Sequence, residues 1–152
     1  MKNLTLQKYT VDDAEFIYQT KKEAYKIYVE QNWGEWNEEK QRDFFEEFIK
    51  AYARDILLIC LNNEKIGFYH GRVEKNCFEL GNICIVPKHQ GIGIGTKILK
   101  DIINENKNFD ICLQYFKQNP VAKLYQRLGF EKTDETKFHI KMKLKKTDKG
   151  EN

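Results

Sequence analysis

Residues 90–96 read Gln90-Gly91-Ile92-Gly93-Ile94-Gly95-Thr96. They stand between an apolar run, Ile83-Cys84-Ile85-Val86-Pro87, and a stretch whose apolar residues Ile94, Ile98, Leu99, Ile102 and Ile103 recur at helical spacing. Strand, glycine loop and helix in that order form a cradle for phosphate. The first amides of a helix have no partner within it, and the positive end of its dipole favours an anion. Glycines let that backbone approach a ligand and supply positive φ where a side chain would clash. Glycine turns also join strands to helices for steric reasons alone, so spacing has to decide. The dinucleotide fingerprint G-x-G-x-x-G fails: counting from Gly91 and Gly93 puts Thr96 at the third glycine, and the next strand ends Gln114-Tyr115-Phe116-Lys117 without a carboxylate for a ribose. The triphosphate loop G-x-x-x-x-G-K-[ST] fails as well, because Thr96 again stands where a glycine is required.

The segment does fit Q/R-x-x-G-x-G/A, filled by Gln90, Gly93 and Gly95. In this it resembles the acyl-CoA pyrophosphate loop of the GNAT family of N-acetyltransferases. One strand further on, Asn119-Pro120-Val121-Ala122-Lys123-Leu124-Tyr125-Gln126-Arg127-Leu128-Gly129-Phe130 fills every named position of that family's shorter segment, N-P-x-x-x-L-Y-x-x-x-G-F. The longer form, N-x-x-A-x-x-x-Y, needs one more residue between Ala122 and Tyr125 than the chain has. Two motifs in the right order are more specific than either alone.

The resemblance implies an acetyl-CoA-dependent N-acetyltransferase that moves the acetyl group to a primary amine by direct attack in a ternary complex. The alternative is a non-catalytic acyl-CoA-binding regulatory module. Acetyl transfer asks for a held donor, a deprotonated amine and stabilised charge on the carbonyl oxygen and the leaving thiolate. By resemblance, the amides of Gly91, Ile92, Gly93, Ile94, Gly95 and Thr96 take the pyrophosphate, and the backbone of Cys84, Ile85 and Val86 pairs with the pantetheine arm. Asn119 either contacts that arm or caps the helix behind it, with Pro120 at the first helical position.

Tyr125 resembles the tyrosine that protonates the thiolate of coenzyme A, a task open to a phenol of ordinary pKa about 10 within hydrogen-bond reach. Otherwise it packs its helix, sharing a stripe with Ala122 and Leu128. The base is either Glu79, on the strand before the loop, or Glu35; each reads equally as a solvated charge. In the resembling family the segment between the first two helices lines the substrate side, so Tyr28, Trp33 and Trp36 are expected to wall the acceptor; alternatively the two tryptophans staple the helices to the sheet. Cys84 has no histidine partner in its run and sits among apolar residues that raise a thiol's pKa, so no acylated enzyme is expected.

The elements that must position these residues can be read in order. Leu4 to Tyr9 alternates like a strand, and Thr10 with Asp13 offers a capping pair. A helix with Ala14, Ile17, Tyr18, Ala24, Tyr25 and Tyr28 on one stripe runs to about Glu30, and Asn32-Trp33-Gly34-Glu35-Trp36 interrupts it. A second helix from Asn37 carries Phe44, Phe45, Phe48, Ile49 and Tyr52. Strands over 56–61, 66–73 and 78–86 make a meander with turns at Asn62-Asn63-Glu64 and Lys75-Asn76. The glycine loop and a helix to about Glu105 follow, then a strand over 110–116, parallel because a helix links it. The second motif's helix ends at Gly129, and strands over 130–133 and 138–144 close the sheet. This order is also the one the resemblance implies: an α/β (α+β) fold with a mixed, mostly antiparallel sheet and helices on both faces. Residues 1–144 make one domain, and 145–152 a frayed polar tail.

Composition agrees. A chain of 152 residues, 41% hydrophobic and 13% aromatic, can bury a real core. A net charge of +3, with lysines spread among acids, does not suggest nucleic acid. No stretch is apolar enough for a membrane span and the first residues lack a secretion signal, so a cytoplasmic protein without membrane contact is expected. Its partners are an amine, small molecule or protein, and at most a second copy of itself. Cys60, Cys77, Cys84 and Cys112 include no C-x-x-C pair and lie in or beside apolar runs. We therefore expect four reduced, buried thiols and no metal, since His70, His89 and His139 show no ligand spacing either.

Overall fold

In the computed structural model, residues 3–146 are described. The elements are β1 (Leu4–Lys8), α1 (Ala14–Trp33), α2 (Glu38–Tyr52), β2 (Ile56–Leu61), β3 (Glu64–Glu74), β4 (Cys77–Ile85), α3 (Ile94–Glu105), β5 (Asp110–Phe116), α4 (Ala122–Arg127), β6 (Glu131–Glu135) and β7 (His139–Leu144). This is the expected order. The strands form one seven-stranded sheet, β1-β2-β3-β4-β5-β7-β6. Pairs β1–β2, β2–β3, β5–β7 and β6–β7 are antiparallel and β4–β5 is parallel, as its helical link requires. The tail expected at 145–152 lies, from residue 147 on, outside the described residues.

The chain divides into two compact units: the residues up to His70 with Asn82–Ile92, and Gly71–Gly81 with the chain from Gly93 on. In the first, Ile17 and Tyr18 of α1 and Phe45 of α2 pack on Ile56, Leu58 and Cys60 of β2, Phe68 of β3 and Cys84 of β4. The β2 members alternate, so one strand face is given to the helices. Ile17, Leu58 and Phe68 are fully buried, and each such side chain stabilises by about 1.5–3 kcal/mol. Glu38 ties the two helices together, accepting from the Tyr18 hydroxyl at 2.6 Å, Lys22 at 2.7 Å and Arg42 at 3.3 Å. Gly67 is required by a close approach: a Cβ there would strike the Cys84 carbonyl.

The second unit buries Ile94, Ile98, Leu99 and Ile102 of α3 together with Leu80, Ile111, Leu113, Phe130, Met142 and Leu144. Gly129, at φ 99°, ends α4 as read from the sequence.

Four expectations need correction. α1 takes in Asn32 and Trp33, because the Asn32 side chain donates back to the Tyr28 carbonyl at 2.9 Å; Gly34 at φ 96° then stops it. Phe44 is 63% exposed: it is about 100° around α2 from Phe45, and only Phe45 meets the core. α4 starts at Ala122, later than Pro120 suggested. Finally, Cys77 and Cys112 pair as a disulfide with Cα atoms 6.6 Å apart, so only Cys60 and Cys84 are free thiols. The bridged residues are 35 apart in sequence, and only the β4–β5 register, which sets Glu79 beside Cys112, brings them together.

Candidate active site

The glycine loop grows out of the end of β4. Val86 N–H donates to the Ile66 carbonyl at 2.8 Å, Pro87–His89 makes one 3-10 turn, and Gly91 and Gly93 follow at φ 78° and 89°. Gly93 is the N-cap of α3, and the first helical hydrogen bond runs from Lys97 N–H to Gly93 O at 3.0 Å. The amides of Ile94, Gly95 and Thr96 precede that bond, where a helix has no partner of its own to offer. A Cβ added at Gly91 or Gly95 would meet nothing within 4 Å, so space stands open in front of the loop. Ile92 is exposed at its crest, whereas Ile94 is 1% exposed and anchors the helix start. Ile94 therefore has only its backbone to give. Gln90 turns back and donates to the Ile85 carbonyl at 2.7 Å. These open amides at a helix start fit a pyrophosphate.

On β4 the Cys84 side chain is turned into the core, 2% exposed, and its thiol donates to the Tyr25 hydroxyl at 3.4 Å. Burial pushes that thiol up to about 11. Lys21 lies beside it with Nζ 3.9 Å over the Phe48 ring, and burial brings the lysine down to about 8. A thiol so placed is no nucleophile at neutral pH, and a ligand on this strand can use only backbone at Cys84. Glu79 is exposed, while its neighbour Leu80 is buried on the opposite face.

Tyr125 is half-buried on α4 with its ring between Tyr115 and Phe130, at centroid distances of 5.8 and 5.7 Å. Its carbonyl accepts from Phe130 N–H at 3.0 Å, fixing the turn after the helix. The Asn119 side chain accepts from Val121 N–H at 3.1 Å and so opens the turn before it.

The aromatic residues expected on the acceptor side have separate environments. Trp36 packs against the core of the first unit and donates its indole N–H to Glu38 at 3.1 Å. Trp33 is 54% exposed at the end of α1, and Tyr28 is half-buried. Five residues apart, these two project about 140° from each other around the helix. Glu35 is exposed in the loop that follows.

The profile described as the acetyltransferase (GNAT) domain matches residues 53–132, just over half of the chain and the whole of the glycine loop. The chain belongs to the GNAT acetyltransferase family. Solved structures share its fold at low identity. PaiA N-acetyltransferase from Thermoplasma acidophilum, in complex with coenzyme A, superposes with a TM-score of 0.69 at 21% identity, covering 93% of this chain and 98% of that one. An acetyltransferase from Thermus thermophilus gives 0.71 at 20%, covering 94% and 97%. The ribosomal-protein-S18-alanine N-acetyltransferase from Escherichia coli gives 0.65 at 22%, covering 98% and 97%. No curated sequence matches the chain.

In this GNAT chain the motifs pointed to the loop and Tyr125, and the fold adds two groupings that they do not name. Lys21, Tyr25 and Cys84 meet beneath β4. Cys77, Glu79 and Cys112 meet across β4 and β5. Neither has a spacing signature, since each is assembled from different elements. No helix among the described residues is long and apolar enough to cross a membrane.

Proposed function

We propose that this GNAT acetyltransferase takes its acetyl group from acetyl-CoA and delivers it to a primary amine by direct attack. The observation that carries the reading is the row of open amides at the start of α3, Ile94 to Thr96, behind glycines that leave the space before them clear. Gly91, Ile92 and Gly93 continue the cradle for the pyrophosphate, and Gln90 holds it to β4. The backbone of Cys84, Ile85 and Val86 is assigned to the pantetheine arm, and Asn119 orders the turn that presents α4.

In the reaction the amine nitrogen bonds to the acyl carbon, the carbon–sulfur bond breaks, and one proton leaves the amine as another reaches the thiolate. Bound acetyl-CoA supplies the activated acyl carbon. Tyr125 is assigned the proton for the thiolate. Glu79 is assigned the amine's proton, and Glu35 is the rival. The buried, weakly acidic Cys84 thiol speaks for direct transfer. Tyr28 and Trp33 are assigned to the acceptor, and Trp36 to holding the loop between α1 and α2. The activity is placed in the cytoplasm.

The test is a panel of small amines and peptides incubated with acetyl-CoA, reading release of free thiol. Release with one class identifies the acceptor. Coenzyme A binding without release from any member would replace this reading with a binding module.

A further inference from the structure

Cys77 and Glu79 are two residues apart on β4 and so share a face, and the parallel register sets Cys112 of β5 directly beside Glu79. One ligand-type atom from each, two sulfurs and a carboxylate oxygen, lies within 4.8 Å of the other two. We propose that these residues form a redox-gated site for a thiophilic divalent cation of the zinc class, closed by the Cys77–Cys112 disulfide and opened by a thiol reductant.

The donor set decides the class of ion. Two thiolates with one carboxylate suit zinc, whereas magnesium and calcium take oxygen donors. On a tetrahedral zinc with bonds of about 2.3 Å, two sulfurs stand about 3.8 Å apart, a separation that rotation of two side chains supplies once the disulfide is open. Glu79 is exposed, which gives the ion a way in and leaves the fourth position to water. Two thiolates and a carboxylate carry three negative charges. The cation offsets two of them, and Lys143, the register partner of Cys112 on β7, adds a positive charge on the neighbouring strand. Asp110, the register partner of Cys77, is engaged by the Lys146 amide at 2.9 Å and is not counted among the ligands.

The steps balance. A dithiol reductant gives two electrons and two protons to the disulfide and is itself oxidised to a disulfide, and the cation then displaces both thiol protons to solvent. Binding stands apart from the acetyltransferase reading. If that reading also holds, an occupied site withdraws Glu79 from the amine and slows turnover.

The test uses the full chain, freed of metal and reduced with a phosphine, which supplies no competing thiolate. Titration with Co2+ reads the thiolate-to-cobalt charge-transfer absorption. The band should grow to one equivalent in the reduced wild type and in Cys60→Ala. It should be missing from the oxidised protein and from Cys77→Ser and Cys112→Ser. Glu79→Gln should keep the band with affinity lowered roughly tenfold or more. No band in the folded, reduced wild type, or a band that survives Cys77→Ser, overturns the site. Should the serine variants unfold, protection of the wild type decides. Zn2+ should then slow alkylation of Cys77 and Cys112, mapped by mass spectrometry, and equal rates with and without Zn2+ overturn the proposal.

Discussion

Gln90 and Ile85 are joined side chain to backbone, the Gln90 amide nitrogen donating to the Ile85 carbonyl at 2.7 Å. The residue that opens the pyrophosphate motif thus bonds to its own strand and sets where the glycines stand. A hydrogen bond of this kind contributes about 0.5–1.5 kcal/mol, so Gln90→Ala should weaken coenzyme A binding by roughly 2- to 12-fold through a looser loop. Its exposure predicts an almost unchanged melting temperature. Calorimetric titration with coenzyme A checks this, and full affinity in the variant would remove the bond from the donor site.

Gly95 separates binding from folding better than Gly93. At Gly93 the left-handed backbone alone costs any side chain about 1–2 kcal/mol. Gly95 lies within α3, and a Cβ there meets open space. Gly95→Val should therefore fold normally and place methyl groups where the pyrophosphate is proposed to lie. The expected loss of coenzyme A affinity is about tenfold or more, of the order of one charged hydrogen bond. Undiminished binding would move the phosphates elsewhere.

The α1–α2 clamp predicts acid sensitivity. Arg42, holding Glu15 through two hydrogen bonds of 2.7 and 3.0 Å, keeps that carboxyl down at about 2, and Lys22 with the Tyr18 hydroxyl does the same for Glu38. Both folded values lie below the ordinary 4.5, so the contribution is complete above that pH and is lost as pH falls from about 4.5 toward 2. Both carboxylates are solvent-accessible, so the change should be modest. A melting curve recorded at each pH should show the decline, flattened in Glu38→Gln. An equal slope in wild type and variant would mean other carboxylates govern acid unfolding.

Local signals carried most of the fold. Asn62-Asn63 and Lys75-Asn76 take the positive φ of tight hairpin turns, and each links strands that the sequence bounds by those turns. The glycine loop was legible because backbone exposure at a helix start needs glycine at fixed positions. What escaped depends on register and on helix rotation. Phe44 and Phe45 look alike in a list of apolar residues, but only Phe45 lies on the arc of α2 that meets the core. Cys77 and Cys112 meet only because β5 pairs with β4 beyond an intervening helix. Trp33 and Trp36 share a loop in sequence, while a helix terminus at Gly34 divides their fates.

Thiol counting tests the Cys77–Cys112 bridge directly. Protein purified without reductant and then denatured should titrate two thiols, Cys60 and Cys84, and four after reduction. Before denaturation both free thiols should alkylate slowly at pH 8, because burial raises each, Cys84 to about 11. Four thiols before reduction would show the β4–β5 pair open as isolated, and rapid native alkylation at Cys84 would contradict its burial.

Tyr125 is held by rings on two sides, Tyr115 and Phe130. Tyr125→Phe keeps that packing and removes only the hydroxyl, so its effect isolates the proposed proton transfer. Turnover at saturating acetyl-CoA should fall by roughly 10²-fold, within the range for acid–base catalysis, while donor affinity and melting temperature barely move. A loss confined to KM would instead mean that the hydroxyl binds substrate and transition state alike. Near-normal turnover in a stable Tyr125→Phe protein would leave the ring as packing between β5 and the turn at Gly129, and the thiolate would take its proton from water.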